Sequence, residues 1–121
     1  MNEPAKQPGP DHLISIAPTG GRVVVRREGI VIAESHRALT LREANYPPVQ
    51  YIPREDVRMD LLTRSAHQTH CPYKGDAAYF SLGADAANAV WSYEQPFPAV
   101  AMIAGHLAFY PNKVDSIEIA P

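Results

Sequence analysis

Cys71 and Lys74 are the residues of this sequence whose types and spacing most directly suggest covalent chemistry. They lie in the stretch THCPYKGDAAYF, which contains the only cysteine among the 121 residues. An ammonium group nearby favours the thiolate form of a cysteine, and the thiolate is the nucleophile. Against this, free cysteine is among the most frequently buried residue types, which favours Cys71 as a small hydrophobe beside an exposed turn lysine. The sequence therefore names Cys71 and Lys74 as candidate catalytic residues and leaves both interpretations open.

The run HQTHC places His67, His70 and Cys71 close together, and all three are feasible ligands of a transition metal. On a strand, however, His70 and Cys71 point to opposite faces, and so do His67 and His70. A zinc site would also need a fourth ligand, which the sequence does not supply. We therefore predict no metal site and no cofactor.

Charged and aromatic residues elsewhere form a candidate binding set. Guanidinium groups receive carboxylates or phosphates in fork geometry, and large rings offer stacking surfaces. For each of them the alternative is a charge on a solvated face or a ring in the core. We predict that six residues line one pocket with the Cys71 turn and take a small anionic ligand, such as a nucleotide or a carboxylate: Glu34, Arg37, Arg54, Arg58, Trp91 and Tyr93.

Composition narrows the classes of partner and location. The 11 basic and 13 acidic residues give a net charge of −2, and without a basic run we predict no nucleic-acid partner. A single cysteine excludes an internal disulfide and fits a reducing compartment. The chain start does not resemble a secretory signal, and no apolar run is long enough to span a membrane. We expect a cytoplasmic protein that contacts no membrane.

The pattern of prolines and apolar residues predicts short β elements. Twelve prolines disfavour long helices and central strands, so fixed corners should join short elements. We expect residues 1–11 to be a flexible lead-in and residues 12–121 to form one domain. RVVVRREGIVIAES predicts a buried hairpin turning at Glu28 and Gly29, and ALTLRE predicts a strand with Leu39 and Leu41 inward.

The second half of the chain continues in the same way. After Pro53 we predict one helical turn and then a strand over residues 57–61. Further strands are expected in DAAYFSL, NAVWSYE, HLAFY and SIEIA, the last with Ile117 and Ile119 inward, and a short helix in PFPAVAMIAG. The prediction is a mainly β fold, or α+β with little α, of about eight short strands and one or two short helices.

Five segments together carry a family resemblance: GIVIAESHRALTLRE, YPPVQYIPREDVRMDLL, THCPYKGDAAYFSL, AVWSYEQPFP and IAGHLAFYPNKVDSIEI. Over about residues 22–119 they resemble the DUF427 family of small proteins of unknown function, and CPYKG and AFYP are its most specific segments. The resemblance implies a compact, mostly β fold of several coiled sheets, similar to the Mss4-like group. Some Mss4-like proteins bind zinc on paired Cys-x-x-Cys motifs, and a chain with one cysteine does not inherit that site.

The resemblance implies less about function. The family is sometimes filed under a nucleotidyltransferase-like name, but the Asp-x-Asp spacing typical of two-metal nucleotidyl transfer does not occur in this sequence. It brings no established catalytic residues, although Cys71, Lys74, Gly75, Trp91 and Tyr93 match its pattern. Two hypotheses remain open: a small-molecule-binding domain or small enzyme with a pocket around the CPYKG turn, and a non-catalytic homodimeric interaction module.

Overall fold

The computed structural model describes residues 5–121, and this part of the chain is mainly β, as the sequence predicts. The strands are β1 (Ile14–Pro18), β2 (Arg22–Arg27), β3 (Ile30–Ser35), β4 (Leu39–Glu43), β5 (Val49–Tyr51), β6 (Thr63–Cys71), β7 (Gly75–Ser81), β8 (Val90–Ser92), β9 (Ala108–Phe109) and β10 (Ser116–Ala120). Helical structure within residues 5–121 is limited to 3-10 segments at Arg54–Asp56, Met59–Leu61, Ala84–Ala86, Pro98–Ile103 and Pro111–Lys113. No helix in this range is long and apolar enough to cross a membrane.

The strands form three antiparallel sheets. Their strand orders are β1-β4-β5, β10-β2-β3 and β6-β7-β8-β9. A single bridge between Ile52 and Leu107 connects the end of β5 to the start of β9. The four-stranded sheet is thereby tied to the sheet that contains β4 and β5.

The predicted hairpin is confirmed as β2 and β3. Val23, Val24 and Val25 are each at most 2% exposed, which accounts for the apolar run on both faces. Glu28 and Gly29 both have positive φ angles, 52° and 76°, as a two-residue hairpin turn with the right-handed twist of its strands requires.

Strands β7, β8 and β9 of the four-stranded sheet are largely buried, and their two faces contribute to different hydrophobic clusters. Phe80 and Phe109 belong to the first cluster, together with residues of β2 and β3. Their neighbours Tyr79 and Ala108 belong to the second cluster, together with Leu41 of β4 and residues of β5. Because successive side chains of a strand point to opposite faces, the sheet separates two cores.

The strand predicted over residues 57–61 is wrong. Val57 makes only one isolated bridge, to Ala33, and residues Met59–Leu61 then form a second 3-10 turn. The amide of Leu61 donates to the carbonyl of Arg58 at 3.0 Å, so local bonds replace a sheet ladder. The predicted helix after Pro96 is a 3-10 segment whose regular geometry is interrupted at Val100.

Two strands and the position of one side chain also differ from the sequence prediction. The sequence did not predict β1, or β6, whose residues are mostly exposed at the edge of their sheet. Ile117 packs against the first cluster as predicted, but Ile119, near the end of the same strand β10, is 55% exposed. Of the predicted lead-in, residues 1–4 lie outside the described residues. The amide of Lys6 donates to the carbonyl of Pro72 at 2.7 Å.

Candidate functional site

The predicted site residues do not share one concavity but lie in three places. Lys74, Trp91 and Tyr93 line one cavity, Arg37 and Arg54 a second, and Glu34 and Arg58 a third. Cys71 packs against the second hydrophobic cluster.

The cavity with Glu34 and Arg58 lies on a solvated face. Arg58 donates two hydrogen bonds to Asp60, at 3.0 and 2.8 Å, and Glu34 accepts one from Arg22 at 2.5 Å. The hydrogen bond from Arg58 holds the pKa of the Asp60 carboxyl below its usual value. These side chains are more than one-third exposed, so the pairs contribute little to stability.

The cavity with Arg37 and Arg54 has a volume of about 320 Å³, but both guanidinium groups already have partners. Arg37 donates to Glu55 at 2.9 Å. Arg54 donates to the carbonyl of Gly105 and to Glu94, both at 3.0 Å. An anion entering this cavity would therefore have to displace carboxylates.

The cavity with Lys74, Trp91 and Tyr93 has a volume of about 230 Å³ and is lined mainly by rings. We call it the aromatic pocket. It lies between β4 and β5 on one side and β7 and β8 on the other. Tyr51 is 1% exposed at its floor, and Tyr46 is 65% exposed at its rim. Its aromatic side chains are Tyr46, Tyr51, Tyr79, Trp91, Tyr93 and Tyr110.

Strand pairing positions these rings. Tyr79 of β7 and Trp91 of β8 are directly opposite each other, so both side chains emerge on the same face of the sheet. The indole Nε1–H of Trp91 donates to the hydroxyl of Tyr51 at 3.2 Å. The Trp91 and Tyr110 ring centroids are 4.4 Å apart, with planes inclined at 43°. The rings are thus fixed by contacts with one another.

The tyrosine hydroxyls of the pocket can donate and accept hydrogen bonds. Tyr79 shares hydrogen bonds with Thr69 at 3.0 Å and with Tyr110 at 3.4 Å. Burial and the bond to Tyr79 raise the pKa of Tyr110 to about 12. Burial also raises the pKa of Tyr51 and of Tyr93 well above the usual value. At neutral pH the hydroxyls of Tyr51, Tyr93 and Tyr110 therefore keep their protons.

A buried ion pair between Glu43 and Lys74 forms part of the pocket wall. Lys74 Nζ donates to Glu43 Oε1, and the residues are 8% and 9% exposed respectively. The other carboxylate oxygen of Glu43 lies 2.7 Å from Nε2 of His12, whose ring stacks on Tyr73 at a centroid distance of 3.9 Å. Burial alone would raise the pKa of the Glu43 carboxyl. The hydrogen bonds from Lys74 and His12 outweigh burial and hold it below the usual value.

Glu43 is the functional candidate that the sequence analysis missed. The signal was present in ALTLRE, because the alternation that turns Leu39 and Leu41 inward also turns the next alternate residue, Glu43, inward. An acidic residue at an inward position of a strand needs a buried partner. Lys74, across from it in the CPYKG turn, is that partner.

The candidate catalytic pair does not assemble as a thiol beside a free amine. The ammonium group of Lys74 is engaged by Glu43, while the half-buried Cys71 packs in the second cluster. His70 hydrogen-bonds Asp76 at 2.7 Å. Among residues 5–121, no three His, Cys, Asp or Glu side chains are grouped closely enough to hold a metal ion.

Gly75 shapes the turn that delivers Lys74 to the pocket. Its φ of 110° lies in a region that residues with a Cβ rarely adopt, although an added Cβ would meet nothing closer than 3.5 Å. We expect Gly75→Ala to lower the free energy of unfolding by about 1–3 kcal/mol through backbone strain. Thermal unfolding compared with Gly9→Ala, where φ and space are permissive, measures the effect. Equal melting temperatures for the two variants would contradict this account.

Comparison with known proteins identifies the family. No curated protein matches the chain. The family model of the domain of unknown function DUF427 matches residues 15–120, which include every strand except the first residue of β1. The match covers nearly the whole chain and agrees with the resemblance carried by the CPYKG and AFYP segments. The chain therefore belongs to the DUF427 family.

Proposed function

We propose that the protein is a small-molecule-binding domain and that the aromatic pocket is its binding site. The observation that carries the proposal is the convergence of six aromatic side chains on one cavity beside a buried ion pair. Ligand sites are typically concave and lined by rings, with a few polar groups that orient the ligand. Glu43, Lys74 and the tyrosine hydroxyls are the polar groups available here.

The size of the pocket favours a small ligand. Its volume of about 230 Å³ lies below the range of about 300–1,000 Å³ that is usual for drug-sized molecules. A compact metabolite, or one end of a longer molecule, fits this space. The exposed Tyr46 and the 36% exposed Tyr110 mark the side from which a ligand enters.

The residues of the aromatic pocket give little support to the predicted anionic ligand. Lys74 is the one cation among the described lining residues, and its charge is already balanced by Glu43. The arginines expected to bind an anion lie at other cavities and pair with carboxylates. Support for catalysis is weaker too, because Lys74 is paired and Cys71 packs in the core.

The single tryptophan of the chain provides the test, because Trp91 lines the pocket. We expect a library of small polar metabolites to contain a compound that saturably shifts Trp91 fluorescence and raises the melting temperature. At 100 times its dissociation constant, a ligand adds about 2.7 kcal/mol of stability. Tyr110→Ala should abolish the response, and Met102→Ala, a truncation at an exposed residue outside the pocket, should preserve it.

One result of this experiment would contradict the proposal. It fails if no compound in a broad library moves the Trp91 signal. The alternative, a homodimeric interaction module, predicts that the signal changes with protein concentration and that sedimentation gives a dimer. The open edge of the nine-residue strand β6 is the feature that favours this second function.

A further inference from the structure

We infer that the ligand of the aromatic pocket carries a quaternary ammonium group. The inference rests on the proposed function and adds the chemical class of the ligand. The inference is based on the arrangement of the rings, on the balanced charges of Lys74 and Glu43 in the pocket wall, and on the hydrogen bonds that the Glu43 oxygens already make.

The neighbouring rings of the pocket are inclined to one another and are not parallel. The planes of Trp91 and Tyr110 are inclined at 43°, and those of Tyr51 and Trp91 are perpendicular, with centroids 6.3 Å apart. A flat ligand is held best between parallel rings, and the structure gives no parallel pair among these contacts. A rounded cation instead gains from several ring faces at once, because each face carries negative charge density.

The pocket already holds one ammonium group against a ring. Lys74 Nζ lies 5.9 Å from the centroid of the Tyr93 ring, within the distance at which a cation is attracted to an aromatic face. The adjacent Glu43 carboxylate balances this lysine charge. The electron-rich faces of the remaining rings are therefore left to attract a second cation, brought by the ligand.

The hydrogen bonding of Glu43 selects the kind of cation. One carboxylate oxygen accepts from Lys74 and the other is bonded to His12. A primary ammonium ligand would have to share the Glu43 oxygens with Lys74 and His12, or direct its N–H groups to tyrosine hydroxyls, which compensates its lost hydration less fully. A quaternary ammonium group has no N–H to satisfy, and its methyl groups suit an aromatic surface. The small cavity volume of about 230 Å³ also fits a compact head group.

The test compares choline with its carbon isostere, in which a tert-butyl group replaces the trimethylammonium group. Both are titrated while Trp91 fluorescence and the NMR resonance of its indole N–H are followed. We expect saturable binding of choline, and binding of the isostere weaker by about tenfold or more, because the shape is kept and the charge is lost. Phosphatidylcholine vesicles in a parallel arm determine whether the same group is also taken from a lipid.

Variants at the rim separate the ring from its hydroxyl. Tyr110→Leu should weaken choline binding about tenfold, whereas Tyr110→Phe, which keeps the ring face, should bind within about twofold of the wild type. Unchanged melting temperatures show that both variants fold. The inference is overturned if choline and the isostere bind equally, or if only other metabolites shift Trp91. In the latter case the proposed function still stands. If no compound changes the Trp91 fluorescence, both the inference and the proposed function are contradicted.

Discussion

Replacing Lys74 with methionine is expected to lower the free energy of unfolding by about 3–5 kcal/mol, a large part of the stability of a domain this size. The substitution keeps the length and apolar stem of the side chain but leaves the Glu43 carboxylate buried with only His12 as a partner. A buried charge that has lost one of its two partners is costly because its lost hydration is no longer fully compensated. Urea unfolding followed by circular dichroism measures the change.

Two control variants identify the cause. Lys74→Met combined with Glu43→Leu should recover most of the lost stability, because apolar residues often replace a buried pair at little cost. Arg58→Met removes a cation from the solvated pair with Asp60 and should cost less than about 1 kcal/mol. If Lys74→Met costs no more than Arg58→Met, the Glu43–Lys74 pair is not a buried structural contact.

The same pair predicts a loss of stability in acid. The folded structure holds the pKa of Glu43 below its usual value, so the unfolded chain binds the proton more readily than the folded chain. The stabilisation is then complete above the unfolded pKa of about 4.3 and is lost as the pH falls through the lower folded value. The double variant should lack this component of the acid dependence.

Leu107→Ala is expected to cost about 2–5 kcal/mol, the range found when a fully buried leucine is truncated and a cavity remains. Leu107 is 0% exposed, and its backbone exchanges two hydrogen bonds of 2.8 Å with Ile52. The same substitution at Leu13, which is 64% exposed, changes the same atoms without creating a cavity and should cost less than about 0.5 kcal/mol.

The Leu107→Ala variant also tests whether the sheets unfold together. It lies at the bridge that joins the end of β5 to the start of β9. For a cooperative domain, unfolding curves from Trp91 fluorescence and from far-ultraviolet circular dichroism should coincide in the variant as in the wild type. Separated curves would show that the aromatic pocket and the β2–β3 core are independent units.

The fold was predictable where alternation and turn chemistry agree. The hairpin of β2 and β3 has a β-branched run on each side of a Glu-Gly turn, and both signals indicate the same element. Strand β6 gave no such signal because, as an exposed edge strand, it has few inward-facing positions to pattern. Residues 57–61 alternate without being a strand, because local 3-10 bonds after Pro53 satisfy their backbone.

The candidate site was predictable only in part. Of the residues that the sequence assigned to one pocket, Lys74, Trp91 and Tyr93 line the same cavity. The arginines were assigned to the same pocket because the sequence shows charges but not which carboxylate neutralises each one. Tyr51 and Tyr110 come from segments far apart in the chain, so only the folding of the sheets brings them to Trp91.

The alternation of β7 between two cores limits how this protein can change over time. Tyr79 belongs to the aromatic pocket, and the very next residue, Phe80, belongs to the opposite core. Inserting or deleting one residue in this strand would exchange the two and send each ring into the wrong compartment. The lining that β7 gives to the aromatic pocket can therefore change only by point substitution, and changes in chain length are confined to the connecting loops.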